Sequence, residues 1–317
     1  MSRARIVPIS IPTPLPVGSV NVFLLASDPV TLVDAGLNTG EAFEVLKAAF
    51  KNEGLALSDL EQVLLTHTHI DHVGLLGRLR DYADFTVYAH PWAAHRSLNS
   101  EDQHEKARRF GLQIMRELGA PDDVAHKAAG EQHSFREFAT DATVDKGLED
   151  GEVIGPHTAC HVPGHSALDM LFVDNAHRIA FTGDHLLPRI TPNPLLRRPR
   201  AGQPRVKSLV QYRESLRKTH ALDLDVCYPG HGEPIRNHRA VIESLLERQH
   251  KRNQRVLEIL GGRRLSVYEV ARQLFPRMDA KFTFLGLSSA AGHLEILEEE
   301  GRVVSEYEDG ILCFRAV

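Results

Sequence analysis

Short apolar runs and helical periods alternate along the first hundred residues of the chain. The runs VNVFLLA and VTLVDAG lie on either side of a Ser-Asp-Pro turn, which is typical of a β-hairpin at the edge of a sheet. GEAFEVLKAAFKNEG follows, with apolar residues at Phe43, Leu46 and Phe50 and a glycine at its end, as in an amphipathic helix. The continuous run QVLLT predicts a strand that is buried on both faces. This alternation predicts a layered α/β fold.

The pattern changes twice after residue 100. Residues from about 100 to 140 are charged and helical in period, with one break at GAPDD, and they predict a helical insertion. The apolar runs in HTACHVPG, MLFVDNAHRIAFTGD and LDVCYPGHG then predict a second half-sheet. After Gly261 and Gly262 the order helix, helix, hairpin is typical of a winged helix. We therefore predict one layered domain over residues 1–260, which contains the insertion, and a winged-helix-like domain over residues 261–317.

Composition limits the class of protein further. Lys and Arg total 37 and Asp and Glu total 42, a net charge of −5 that argues against a surface built for nucleic acid. No run approaches the roughly 18 apolar residues that a membrane span needs, and prolines interrupt the apolar N-terminal residues before a signal peptide could form. The three cysteines are scattered, which predicts buried thiols rather than a disulfide framework. We expect a soluble, cytoplasmic protein without membrane contact.

A dense group of metal-ligand residues follows the strand QVLLT. In THTHIDH, residues 66–72, His67 and His69 are two positions apart, so both imidazoles project from the same face of an extended segment. Asp71 and His72 follow where the chain turns into a helix, and they can reach a second cation. The end of a buried strand is a rigid edge beside solvent, which suits a metal site. The spacing therefore predicts two neighbouring metal ions.

Three later segments repeat this placement. VPGHS, TGDH and YPGHG each put a ligand residue after an apolar strand and beside a glycine, where the backbone can pass close to an ion. These ligand residues are His165, Asp184 and His231. His185 is left out of the set, because adjacent residues of a strand point in opposite directions.

In number and order these residues resemble the metallo-β-lactamase fold hydrolases, over nearly the first 240 residues. The resemblance implies a four-layer αββα fold. It also implies a ligand assignment in which His67, His69 and His165 hold one metal, Asp71, His72 and His231 hold the other, and Asp184 bridges the two. Asp34 in LVDAG matches an early strand-end aspartate of the family that supports the ligand histidines, and a plain turn residue is its alternative reading.

The ligand chemistry predicts a dinuclear hydrolase. Imidazole and carboxylate without thiolate favour zinc and also tolerate iron or manganese. Two cations that share a water lower its pKa from about 15.7 toward ~7, which supplies a metal-bridging hydroxide without a protein base. Asp71 would orient this hydroxide and relay its proton, while Asp184 holds both cations.

The substrate class is argued from the bridging residue and the loop after it. Family members that hydrolyse β-lactams commonly have cysteine where this chain has Asp184, and aspartate there resembles the glyoxalase II-like, lactonase and RNA-processing branches. Ester or thioester hydrolysis of a small-molecule substrate is the first choice. Arg189, with Arg197 and Arg198, and Tyr212 further on, are candidate contacts for an anionic acyl carrier such as a coenzyme A ester. A solvated surface loop is the alternative for the arginines.

Three other functions stay open. The tail resembles that of the lactamase-like endoribonuclease group, and a metal pair also serves phosphodiester cleavage. Charge opposes this reading, since the residues from 262 onward hold seven Lys or Arg against nine Asp or Glu, and the run 298–300 is all glutamate. A lactonase is another alternative, and a non-catalytic metal-binding module is disfavoured because structural zinc sites seldom pair ions through a carboxylate. If the C-terminal tail does not bind RNA, we expect it to pack beside the active site or to form the surface of a homodimer.

Overall fold

The computed structural model describes residues 5–199 and 202–317 of the chain, without the side chains of residues 132–136. Its strands are β1 (Ile6–Ile11), β2 (Val20–Leu25), β3 (Thr31–Val33), β4 (Gln62–Leu64), β5 (Thr86–Ala89), β6 (Lys146–Gly147), β7 (Val153–Ile154), β8 (His157–His161), β9 (Met170–Asp174), β10 (Ile179–Gly183), β11 (Val226–Pro229), β12 (Arg264–Ser266), β13 (Val303–Glu308) and β14 (Ile311–Ala316). Its helices are α1 (Gly40–Asn52), α2 (Ile70–Val73), α3 (Leu76–Leu79), α4 (Glu101–Glu117), α5 (Asp122–Ser134), α6 (Ser208–His220), α7 (His238–Leu260), α8 (Val267–Leu274) and α9 (Ala280–Glu299). Within the described ranges, no helix has the length and apolar character needed to cross a lipid bilayer.

Contacts divide the chain into two compact units. The first contains Met1–Gln103, Arg136–Pro192 and Lys218–Val241, and the second contains His104–Phe135, Asn193–Arg217 and Ile242–Val317. The predicted boundary between residues 260 and 261 therefore falls inside the second unit. The physical reason is that the insertion helices α4 and α5, together with α7, share one hydrophobic core with α8 and α9.

The first unit is built on two sheets. In the described residues the first sheet has the order β1-β2-β3-β4-β5-β6, and the second has the order β11-β10-β9-β8-β7. The predicted strand QVLLT forms β4, and its successive side chains alternate between two cores. Leu64 shares a hydrophobic core with Phe172 and Phe181 of the second sheet. Val63 and Leu65 instead share the core that contains the apolar face of α1. Burial on both faces holds β4 rigidly beneath the metal-ligand motif that follows it.

The second unit packs helices around a small sheet. The predicted order helix, helix, hairpin is present as α8, α9 and the β13–β14 pair, and β12 completes a sheet of order β12-β14-β13. Ser266 begins α8 through a capping box, in which its hydroxyl accepts from the Glu269 backbone N–H and the Glu269 carboxylate accepts from the Ser266 N–H. Most of α9 is buried, including consecutive residues from Ala290 to Leu297. The winged-helix assignment stays a prediction.

All three cysteine thiols are buried, as the sequence predicts. Burial raises the pKa of Cys227 to about 12 and also raises the pKa of Cys160. Because the thiolate is the nucleophile, we expect the native protein to react only slowly with a thiol-disulfide reagent at pH 8, and the denatured protein to titrate three thiols. Reaction is followed by thiolate release with and without guanidinium. A fast, stoichiometric thiol in the native protein would contradict this burial.

Candidate metal centre

The seven predicted ligand residues lie in segments that follow strands of the two sheets. His67 follows β4, His69 caps the N-terminus of α2, and Asp71 and His72 lie within α2. The remaining three follow strands of the second sheet, with His165 after β8, Asp184 after β10 and His231 after β11. β10 and β11 are parallel, and β8 is separated from β10 by the antiparallel β9, so all three strands end at the same edge. Strand ends thereby gather residues that are more than 160 positions apart along the chain.

These side chains form three overlapping groups that could each hold a metal ion, with ligand atoms within 4.8 Å of one another in each group. The groups are His67, His69 and His165; Asp71, His72 and His231; and His67, His72 and Asp184. The first two groups contain the same residues as the two ligand sets implied by the family resemblance. All seven predicted ligand residues are therefore brought together in one place.

Distances within the centre show how its two halves meet. His69 Nδ1 lies 2.9 Å from His165 Nε2 and 3.1 Å from His67 Nε2. In the other half, His231 Nε2 lies 3.4 Å from Asp71 Oδ2. The carboxylate of Asp184 lies between the halves, because its Oδ2 is 3.7 Å from His165 Nε2 and 3.6 Å from His231 Nε2. The carboxylate of Asp184 is thus placed where it could contact a cation in either half.

Asp34 holds the ligand motif in place through hydrogen bonds with two of its residues. Its Oδ2 accepts a hydrogen bond from Thr66 Oγ1 and lies 2.8 Å from His72 Nδ1, while its Oδ1 accepts from the Thr66 backbone N–H at 2.8 Å. Asp34 is buried and has φ of 60°, a left-handed conformation that aspartate tolerates better than most residues. The carboxylate fixes the proton of His72 on Nδ1 and leaves Nε2 free as a ligand atom. The backbone carbonyl oxygen of Ser19 lies 2.8 Å from His231 Nδ1, so it accepts a hydrogen bond from the Nδ1 proton of His231 and directs Nε2 toward the centre.

Electrostatics prepare two of the ligand histidines and both aspartates for metal binding. His72 and His231 differ, because the neighbouring carboxylates outweigh burial and raise the pKa of each imidazole, so a metal ion would have to displace a proton from both. Burial lowers the pKa of His69 to about 3 and also lowers the pKa of His67, so both imidazoles are neutral at pH 7. For Asp184, burial opposes ionisation, but His72, His231 and His165 together outweigh burial and hold the pKa of the carboxyl well below its usual range. The pKa of Asp71 is also lowered, because His72 and His231 outweigh its burial. The carboxylates are therefore ionised and able to bind cations.

The centre also contains buried polar atoms that need a partner. Among the described residues, His72 Nε2, His231 Nε2 and Asp184 Oδ1 are buried and make no hydrogen bond. Such atoms cost about 1–3 kcal/mol each unless something binds them. A nitrogen and oxygen donor set with these three atoms fits a pair of divalent cations such as zinc. Metal binding would thus satisfy the atoms that folding leaves unpaired.

Two glycines without side chains leave room for the ligand residues to lie close to the backbone. A Cβ atom at Gly230 would lie 2.8 Å from His72 Cε1 and closer still to Asp184 Oδ1. Gly183 has φ of 48°, and a Cβ there would overlap the side chain of Thr66. The glycines beside ligand residues in TGD and YPGHG are therefore required by space, as expected from the sequence.

The other residues considered in the sequence analysis differ in burial and contacts. His185 contacts Thr219, with His185 Nε2 2.8 Å from Thr219 Oγ1, and belongs to none of the ligand groups found in the described residues, as predicted. Arg189 is exposed on the loop after Asp184, and its contact with substrate stays a prediction. Tyr212 has no exposed surface and lies in the second unit, so its burial disfavours the predicted role in substrate binding.

An aromatic cluster in the first unit was missed by the sequence reasoning. The rings of His90 and His161 have centroids 4.1 Å apart, and Trp92 lies 4.8 Å from His90. His90 follows β5, the parallel neighbour of β4, and His161 ends β8. The strand-end rule that selected the metal ligands would also have selected His90. Trp92 is 41% exposed, so part of this cluster lies at the protein surface.

Comparisons with known proteins agree with this fold. The metallo-beta-lactamase superfamily model matches residues 15–231. The chain is 34% identical over 320 residues to the probable metallo-hydrolase YqjP of Bacillus subtilis, covering 100% of this chain and 99% of the relative. It is 25% identical over 243 residues to an atrochrysone carboxyl ACP thioesterase of Emericella nidulans, covering 75% of this chain and 59% of that protein.

Among solved structures, the crystal structure of a metallo-beta-lactamase family protein from Thermus thermophilus has a TM-score of 0.82 to this chain. The two are 26% identical, and 98% of each chain is covered. The predicted α/β metallo-β-lactamase fold is thereby confirmed. By sequence and by structure, the chain belongs to the metallo-beta-lactamase superfamily.

Proposed function

We propose that this chain is a dinuclear metal-dependent hydrolase that cleaves an ester or thioester of a small molecule. Membership of the superfamily and the similarity to a probable metallo-hydrolase support the general class. The observation that carries the proposal is the position of Asp184, whose carboxylate lies between the two ligand groups. A shared carboxylate of this kind is the arrangement that two neighbouring metal ions need.

His67, His69 and His165 would hold one divalent cation, and Asp71, His72 and His231 the other. Two bound cations supply Lewis acidity and hydroxide at neutral pH, and zinc is the proposed metal. The protein's own part is to keep His67 and His69 neutral and both aspartates ionised. Asp71 would accept a hydrogen bond from the attacking water and orient it, because its lowered pKa keeps the carboxyl ionised and its oxygens face the ligand histidines.

Three considerations favour thioesters over other substrates. An aspartate lies between the ligand groups, at the position where family members that hydrolyse β-lactams commonly have cysteine. The chain is also similar to a fungal acyl carrier protein thioesterase over three quarters of its length. Finally, a thiol leaving group has a pKa near 8.5, so it departs with little help from a general acid.

The endoribonuclease alternative is less well supported. A recognition helix must expose one face to the nucleic acid, whereas α9 is buried on consecutive residues from Ala290 to Leu297. Its acidic residues are partly engaged within the second unit, where Glu295 pairs with Arg205 and Glu298 pairs with Lys207. A lactone shares the ester chemistry and remains the second candidate substrate.

The test is a comparison of initial rates on an acyl coenzyme A, a lactone, a phosphodiester and a short RNA, each with the zinc-, manganese- and iron-loaded protein. We expect kcat/KM for the thioester to exceed the values for the phosphodiester and RNA by more than about tenfold, a difference of about 1.4 kcal/mol in transition-state binding. A chelator should abolish the activity, and added metal should restore it. Preferred cleavage of RNA, or hydrolysis that a chelator leaves unchanged, would reverse the proposal.

A further inference from the structure

The second unit contains a cavity of about 560 Å³ that is lined by basic side chains. The positive charges come from Lys106 and Arg109 of α4 and from Arg198 and Arg205, which precede α6. Two aromatic rings, those of Phe110 and Tyr307, also line the cavity. We call this the basic cavity. Its lining belongs entirely to the second unit, whereas the seven metal-ligand residues belong to the first. A volume of this size is typical of sites that bind small molecules.

The charge of the basic cavity differs in sign from that of the chain. Four cations face one carboxylate, Glu117, in a chain whose net charge is −5. Tyr307 Oη donates a hydrogen bond to Glu117 Oε1 at 2.6 Å, so that carboxylate already has a partner. Two further carboxylates adjoin the lining, since Glu105 pairs with Arg109 and Glu295 pairs with Arg205. Of the arginines in the lining, Arg198 is the one that neither of these ion pairs involves.

Arg205 supplies the observation that points to a ligand. Its side chain is 20% exposed, and Nη2 pairs with Glu295, which is itself buried. Its other terminal nitrogen, Nη1, is buried and has no hydrogen-bond partner among the described residues. A buried charged N–H without a partner is costly, and an anion is the partner that would relieve this cost. The described residues also contain no ion-pair partner for the exposed Arg198.

We propose that the basic cavity binds a small anion with at least two phosphate groups, of the class of nucleoside di- and triphosphates. Several phosphate oxygens match the forked guanidinium groups of Arg109 and Arg198, each of which can bind two oxygens at once, and Arg205 adds the N–H groups of Nη1. Phe110 and Tyr307 offer rings against which a base can stack. The proposal goes beyond the hydrolytic function and does not depend on it.

The test is calorimetric titration of the metal-loaded protein with ADP, pyrophosphate and adenosine. We expect ADP and pyrophosphate to bind and adenosine alone to bind at least tenfold more weakly. The variant Arg109→Gln/Arg198→Gln changes two exposed residues, so it avoids leaving buried Glu295 unpaired, and it should weaken ADP binding at least tenfold. The matched control is Arg255→Gln, which removes one exposed charge from α7 and should bind ADP like the wild type.

Two further arms separate the alternatives. If ADP bound instead to the metal ions, Asp184→Ala would abolish binding and the double arginine variant would leave it unchanged, and this outcome would overturn the proposal. Equal binding of adenosine and ADP would overturn the recognition of phosphate. Tighter binding of a single-stranded RNA than of ADP, with the same loss in the double variant, would replace the small anion by a nucleic acid. ADP binding that survives in Asp184→Ala and is lost in the double variant supports the basic cavity.

Discussion

Replacing Asp184 by alanine is expected to remove at least one equivalent of metal and nearly all hydrolytic activity. Asp184 is 3.6 Å from His231 Nε2 and 3.7 Å from His165 Nε2, so its carboxylate serves both ligand groups. Without the carboxylate of Asp184, Asp71 would be the one negatively charged residue left among the seven ligand residues. Because metal ions supply several kcal/mol of transition-state stabilisation, we expect kcat/KM to fall by at least about a thousandfold. Elemental analysis and initial rates measure the two effects.

A matched control for this variant is Asp174→Ala. Asp174 is also a buried aspartate of the second sheet, but it pairs with His177 rather than with a ligand residue. Its removal should cost stability without changing the metal content of the folded protein. Full activity in Asp184→Ala, or equal metal loss in both variants, is the outcome that the proposed role of Asp184 does not allow.

Replacing Asp34 by asparagine is expected to weaken metal binding about tenfold to a hundredfold while preserving the fold. Asparagine has nearly the same shape and tolerates the positive φ of this position. However, its amide cannot accept from Thr66 N–H, Thr66 Oγ1 and His72 Nδ1 together as the carboxylate can. His72 then loses the acceptor that keeps its proton on Nδ1, and a proton on Nε2 blocks the ligand atom. Competition with a chromogenic chelator measures the affinity.

The chain provides a close control for this argument as well. Asp174 Oδ2 lies 2.7 Å from His177 Nδ1, which is the same kind of aspartate–histidine pair outside the metal centre. Asp174→Asn should therefore leave metal affinity unchanged. Metal affinity of Asp34→Asn equal to that of the wild type would show that His72 is oriented by other contacts.

The gathering of the seven candidate ligand residues could be predicted from the sequence because each of their segments follows an apolar strand. His67 follows QVLLT, and Asp184 and His231 follow runs that form β10 and β11. The carboxyl ends of neighbouring parallel strands meet at one edge, so local patterns were enough to bring distant residues together. The same principle applies to His90, which follows β5 but has none of the seven candidate ligand residues close to it in the sequence.

Other features depend on packing between segments that are remote in sequence. The helices α4 and α5 have the predicted period, but nothing local indicates that they share a core with α7 and α9. The contact-based division of the chain differs from the predicted domain boundary for that reason. Tyr212 was selected as a polar aromatic residue after the bridging aspartate, and its complete burial follows from tertiary contacts that the sequence pattern does not contain. The basic cavity likewise joins α4 to residues almost a hundred and two hundred positions away.

Anomalous diffraction from crystals of the metal-loaded protein tests the central claim most directly. Two peaks are predicted, one beside His67, His69 and His165 and the other beside Asp71, His72 and His231, with Asp184 in contact with both at about 2.0–2.2 Å. Elemental analysis of the same preparation should give two equivalents of metal per chain. A protein that is folded and active without anomalous density at these seven residues would contradict the account.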